Sequence, residues 1–197
     1  MPRIDAEVWL QQRDPVSLWL ILERNRFEGA VAVGDADILL PLADVHAWIL
    51  GVVGETSDPA VMDRWQRHPR FRGVRCGMEG VGEAVRRGLA CDLVATPAQT
   101  LRVAHAFPAA RIAVTLASRE LAAAPGVIVK LAGEWPRSLW EAFGVERLMF
   151  ASQWPRRLPD HTWKETLAEF TQSLGAQSLE TRERILGGNA KRFYGLE

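Results

Sequence analysis

One pattern recurs eight times along this chain: a short apolar run followed by a stretch with helical spacing. The runs are AEVWL (6–10), GAVAV (29–33), WILGVV (48–53), FRGVRCG (71–77), CDLVAT (91–96), RIAVTLA (111–117), VIVKLAG (127–133) and RLMFAS (147–152). Strands exposed on one face alternate apolar with polar residues, whereas parallel strands covered by helices on both faces read as continuous apolar runs. Asp14-Pro15 and Asp58-Pro59 mark helix starts, an N-cap carboxylate followed by a first-turn proline. Eight strand–helix units that close on themselves make a (β/α)8 TIM barrel. Such barrels typically use ~250 residues and rarely fewer than ~200. A chain of 197 must therefore clip several helices to one or two turns, and RELAAAPG (119–126) is such a case. A flavodoxin-like open sheet, the structural alternative, would need fewer strands. No linker or low-complexity tract interrupts residues 1–197, so a single domain is expected.

Bulk properties narrow the partners. Lys plus Arg and Asp plus Glu both number 24, which gives no basic surface for nucleic acid or an anionic membrane. Cys76 and Cys91 are too few for a disulfide framework and lack metal-type spacing. The start, MPRIDAEVWL, carries charges at Arg3, Asp5 and Glu7 and so has no signal-peptide core, and no apolar stretch is long enough to span a bilayer. The expectation is a cytoplasmic protein that binds a small molecule, with homo-oligomerisation left open.

The segments HPRFRGVRCGMEG (68–80), CDLVATPAQTLRVAHAFP (91–108), VIVKLAGEW (127–135), FGVERLMFASQWP (143–155) and ILGGNAKRFYGL (185–196) resemble the amidohydrolase-related family, in its sugar-lactone hydrolase branch. The resemblance implies the same barrel, with chemistry at the strand ends. The family's Asp-x-His-x-His after the first strand appears here as Asp5, Glu7 and Trp9. Its Pro-His-Gln after the fifth strand becomes Pro97-Ala98-Gln99, and its Asp-His after the sixth becomes Thr115-Leu116. Its Ser-Asp-Trp-Pro after the eighth becomes Ser152-Gln153-Trp154-Pro155. Metal ions in such sites need imidazole and carboxylate ligands, and the water they bind needs a base. Glu7, Trp9, Ala98, Leu116 and Gln153 replace those groups, so no metal and no cofactor is expected. His46 and His68 precede strands, His105 lies in a helical stretch, and His161 reads as a solvated loop residue.

What remains at the strand ends is Glu7, Glu55, Arg75, Cys76, Glu79, Thr115, Lys130, Glu134 and Gln153. If the chain is catalytic, Glu7 is the expected base, while Arg75 and Lys130 steady a carboxylate or enolate in metal-independent lactone hydrolysis or isomerisation. Trp9, Trp135 and Trp154 are expected on the rim, where with Cys76, Glu79, Thr115, Glu134 and Gln153 they would surround a small organic ligand. The competing expectation is a non-catalytic pseudoenzyme that serves as a binding or scaffold subunit. A conventional lactonase with ligands from unexpected positions is a third.

Overall fold

The structure, a computed structural model, describes residues 2–10, 14–158 and 160–196. Eight strands form a single parallel sheet in sequence order: β1 (Ile4–Val8), β2 (Gly29–Gly34), β3 (Ile49–Glu55), β4 (Phe71–Cys76), β5 (Ala90–Leu93), β6 (Ile112–Val114), β7 (Val127–Leu131) and β8 (Leu148–Phe150). The sheet curls into a nearly closed barrel. Its seam is drawn together where Gln153 N donates to Glu7 O at 3.0 Å and Trp9 N donates to Trp154 O at 2.7 Å. The seam is fastened by a side chain as well, because Asp5 accepts from Ser152 N at 2.8 Å.

The helices follow the capping signals. In α1 (Pro15–Arg24) and α3 (Pro59–Trp65), Asp14 and Asp58 accept from Val16 N at 3.0 Å and Ala60 N at 2.8 Å. Helices α5 (Pro97–Ala106) and α7 (Trp163–Leu174) begin with reciprocal capping boxes, Thr96 with Gln99 and Thr162 with Glu165. Helix α7 buries Trp163, Thr166, Phe170 and Leu174, one face at helical spacing. Also present are α2 (Ala36–Val45), α4 (Val81–Arg86), α6 (Arg137–Phe143), α8 (Leu179–Glu183) and α9 (Asn189–Tyr194). The expected clipping is seen between β6 and β7, where a 3-10 segment at Arg119–Ala123 stands in for a helix.

Strand alternation divides the core in two. Ile4, Ala6, Val31, Val33, Val53, Ala90, Ala113, Ile128 and Met149 fill the interior, and a larger shell that includes Val52, Val74, Cys91 and Phe150 packs against the helices. Phe193, Tyr194 and Leu196, from α9 and the residues after it, belong to the interior set and plug the floor of the barrel. The plug is anchored by Arg111, which donates to Phe193 O at 2.6 Å. Asn189 anchors it too, donating to Val145 O at 2.6 Å and Leu148 O at 2.8 Å. Gly187 crosses directly against Pro2 O and Ile4 N, and a Cβ there would overlap both. This close approach is what requires glycine.

Candidate functional site

Three strands deliver ionisable side chains to one point inside the barrel. Glu7 from β1, Asp92 from β5 and Lys130 from β7 are each 2% exposed. Lys130 Nζ bonds Glu7 Oε2 at 3.2 Å and also bonds Asp92 Oδ2. From below, Tyr194 OH donates to Asp92 Oδ1 at 2.7 Å. From above, Trp9 Nε1 donates to Glu7 Oε1 at 3.0 Å. Lys130 therefore faces inward, which its position in an apolar run leaves undetermined.

The cluster sets the protonation of its own members. Burial pushes the Glu7 carboxyl up, but Lys130, Arg75 and the Trp9 N–H outweigh it and hold the group below its ordinary value. For Asp92 burial prevails: with the charge of Glu7 added it raises the carboxyl against the opposing pull of Lys130 and Tyr194. Burial and the charge of Asp92 keep the Tyr194 phenol well above 10. Two acids in one cluster are thus pushed in opposite directions.

Trp9 roofs the cluster. Its ring lies under the Arg156 guanidinium, 3.1 Å from the centroid, and Arg75 approaches the same ring at 5.1 Å. Arg75 reaches Glu55 across 3.5 Å. Burial and the charge of Arg75 lower the pKa of Arg156, as expected for two neighbouring guanidiniums. Among the described residues Arg156 makes no ion pair, and it caps the barrel at the turn after β8.

Asp5 does something else. Its side chain, 0% exposed, accepts from Ser152 N at 2.8 Å, from Glu7 N at 3.3 Å and from Trp163 Nε1 at 2.8 Å. It points away from the cluster and joins β1, the turn after β8 and α7. Burial raises its pKa from 3.8 to about 6, against the pull of those N–H donors.

The other expected site residues divide by side. Glu7, Trp9, Arg75 and Lys130 come together, and Glu55 reaches Arg75. Cys76 does not join them: one residue beyond Arg75 on β4, it turns outward among the helices, where it meets Cys91. Trp135 and Trp154 also pack in the outer shell, Trp135 against Trp140 at 6.0 Å and Phe170 at 6.0 Å. A rim of three tryptophans around one ligand is therefore not formed, since alternation sends only Trp9 inward. Thr115 and Glu134, with Leu116, Trp135 and Lys130 itself, line a recess of about 410 Å³ above β5–β7. Glu79 is exposed and accepts from Ser57 Oγ at 2.9 Å. Gln153 takes the left-handed conformation, φ 57, and serves the seam through its backbone.

Sequence reading passed over Asp92, Tyr194 and Arg156. Asp92 carried a signal: like Lys130, it is a lone charge inside an apolar strand. The resemblance raised the question of a metal. A protein zinc site uses three or four Lewis-base side chains. Here the two interior carboxylates are already held by an ammonium, and among the described residues no three His, Cys, Asp or Glu side chains are grouped to hold a metal ion. With Lys130 in place the donor set does not fit one.

Comparison with known proteins places this geometry in context. L-fucono-1,5-lactonase from Burkholderia ambifaria is 26% identical over an alignment of 252 positions that covers 93% of this chain and 85% of that protein. An amidohydrolase from Burkholderia multivorans superposes over 100% of both chains in two crystals. The TM-score is 0.86 at 20% identity with HEPES bound, and 0.84 at 22% identity with zinc bound. Likeness at that level of identity concerns the fold. The family model described as amidohydrolase matches residues 5–196. This chain belongs to the amidohydrolase family.

Proposed function

We propose that this barrel binds a small organic carboxylate, or the lactone that yields one, at its mouth between Arg75 and Arg156, and that it acts as a binding protein rather than as a metal hydrolase. One observation carries the reading: two guanidiniums converge on the Trp9 ring, with Glu55 at 3.5 Å from Arg75 as the nearby counter-charge. Guanidiniums left with free donors suit a carboxylate, which they can grip with paired hydrogen bonds. Binding is favoured over catalysis by the state of Glu7. A general base works best with a pKa near the operating pH. Glu7 is held low, engaged by Lys130 and Trp9, and shut away from the mouth.

Titration calorimetry with L-fucono-1,5-lactone, its ring-opened acid and related sugar acids tests this reading. Binding should weaken about tenfold or more in Arg75→Met and in Arg156→Gln, the scale of a lost charge-assisted hydrogen bond. No binding across the panel, or unchanged binding in both variants, refutes it. A second reading, metal-independent lactone hydrolysis, is favoured by the activity named for the Burkholderia ambifaria relative. Turnover that persists in chelator and is lost in Glu7→Gln would establish that second reading instead.

A further inference from the structure

We infer that Lys130 is the barrel's resident cation: its ammonium occupies the position from which a divalent ion would bridge Glu7 and Asp92, so the cluster is closed to metal until Lys130 is removed. A divalent ion shared by two carboxylates must lie within about 2–2.5 Å of an oxygen from each. Glu7 Oε2 and Asp92 Oδ2 both turn toward a single point, and that point is Lys130 Nζ. The remaining oxygens are committed elsewhere, Glu7 Oε1 to Trp9 Nε1 and Asp92 Oδ1 to Tyr194 OH. No carboxylate oxygen in the cluster is idle.

The neighbouring positions agree. The strand ends offer Trp9, Thr115, Leu116 and Gln153 instead of imidazoles and a further carboxylate, so an ion in place of the ammonium would complete its shell with water in the space that Lys130→Ala opens. The ammonium also does what the interior requires. Buried carboxylates without a compensating cation are strongly disfavoured, and Lys130 supplies that cation from within the chain. An amidohydrolase of the same fold has been crystallised with zinc bound. The consequence is specific: deleting the ammonium while keeping both carboxylates should turn a metal-indifferent barrel into one that takes up a divalent ion.

The inference rests on the interior cluster and not on ligand binding at the mouth, so the two can fail separately. Metal content by elemental analysis, together with thermal unfolding with manganese, zinc or chelator, tests it on the full chain. The native protein should hold well under one equivalent of either metal, with a melting temperature that chelator leaves unchanged. Lys130→Ala should melt about 10 °C lower in chelator, as expected for two stranded buried carboxylates. It should recover most of that loss, and bind about one equivalent, when manganese or zinc is added. Adding Glu7→Gln to Lys130→Ala should abolish the uptake. One equivalent in the native protein, or a folded Lys130→Ala that ignores both metals, overturns the inference. Should Lys130→Ala fail to fold without metal, its soluble yield with manganese in the growth medium decides: rescue supports the inference, and no rescue overturns it. As a further check, Glu7→Gln with Asp92→Asn and Lys130→Met removes all the charges, and should fold without metal and take up none. Metal uptake by that triple variant would place the ion elsewhere and overturn the assignment.

Discussion

Asp5→Asn sets two physical effects against each other at a single side chain. The carboxyl receives three N–H donors, which favour its ionised form, yet it is fully buried without a cation beside it, which favours the neutral form. Burial prevails and lifts the pKa from 3.8 to about 6. An acid whose folded pKa exceeds its unfolded value binds more protons in the fold between those two values. Stability is therefore gained on acidification through that window and lost again as pH rises through about 6. Proton linkage gives about 2 kcal/mol of added stability at about pH 4.5 relative to about pH 7, approaching about 3 kcal/mol at still lower pH. Asparagine cannot take up that proton, and the other titrating groups are common to both proteins. Urea unfolding of the native chain and Asp5→Asn at the two pH values should thus show the native chain's relative advantage widening by about 2 kcal/mol on acidification. A difference that is independent of pH would refute the dominance of burial. A difference that narrows on acidification would mean that the donors from Ser152, Glu7 and Trp163 hold the carboxyl below its ordinary value.

Two further changes probe the floor of the barrel. Tyr194→Phe removes the donor at 2.7 Å from Asp92 and should cost about 2 kcal/mol in urea unfolding, the usual worth of a buried hydrogen bond to a carboxylate. Asn189→Ala leaves the carbonyls of Val145 and Leu148 without their shared donor and should cost about 2–3 kcal/mol, with the urea dependence itself unchanged.

The barrel is legible in the sequence because covered parallel strands leave a continuous apolar imprint, and each of the eight runs overlaps a strand. Their lengths are less legible. RIAVTLA shrinks to Ile112–Val114 and RLMFAS to Leu148–Phe150. After β8, Ala151 and Ser152 stay buried where pairing has stopped, whereas after β6 Leu116 turns out to solvent, so hydropathy marks neither strand end. In the site, Glu7, Trp9, Arg75 and Lys130 are identified correctly as neighbours because they occupy corresponding places near strand ends. Cys76 fails as a member because it lies one residue along from Arg75, and a single step reverses a strand's facing. Asp92 and Tyr194 lie 102 residues apart. No local pattern reports that a residue of the last helix turns up into the interior to meet a carboxylate on β5.

That upward-turning tyrosine also orders events in time. A nascent chain leaves the ribosome N-terminus first, so all eight strands are made before Phe193, Tyr194 and Leu196. Until those residues arrive, Asp92 lacks the phenol hydroxyl and the interior stays open at its lower end. A chain cut before Phe193 would lose both the interior plug and the hydroxyl that engages Asp92. Phe193, Tyr194 and Leu196 act as the stopper that closes the barrel's lower end.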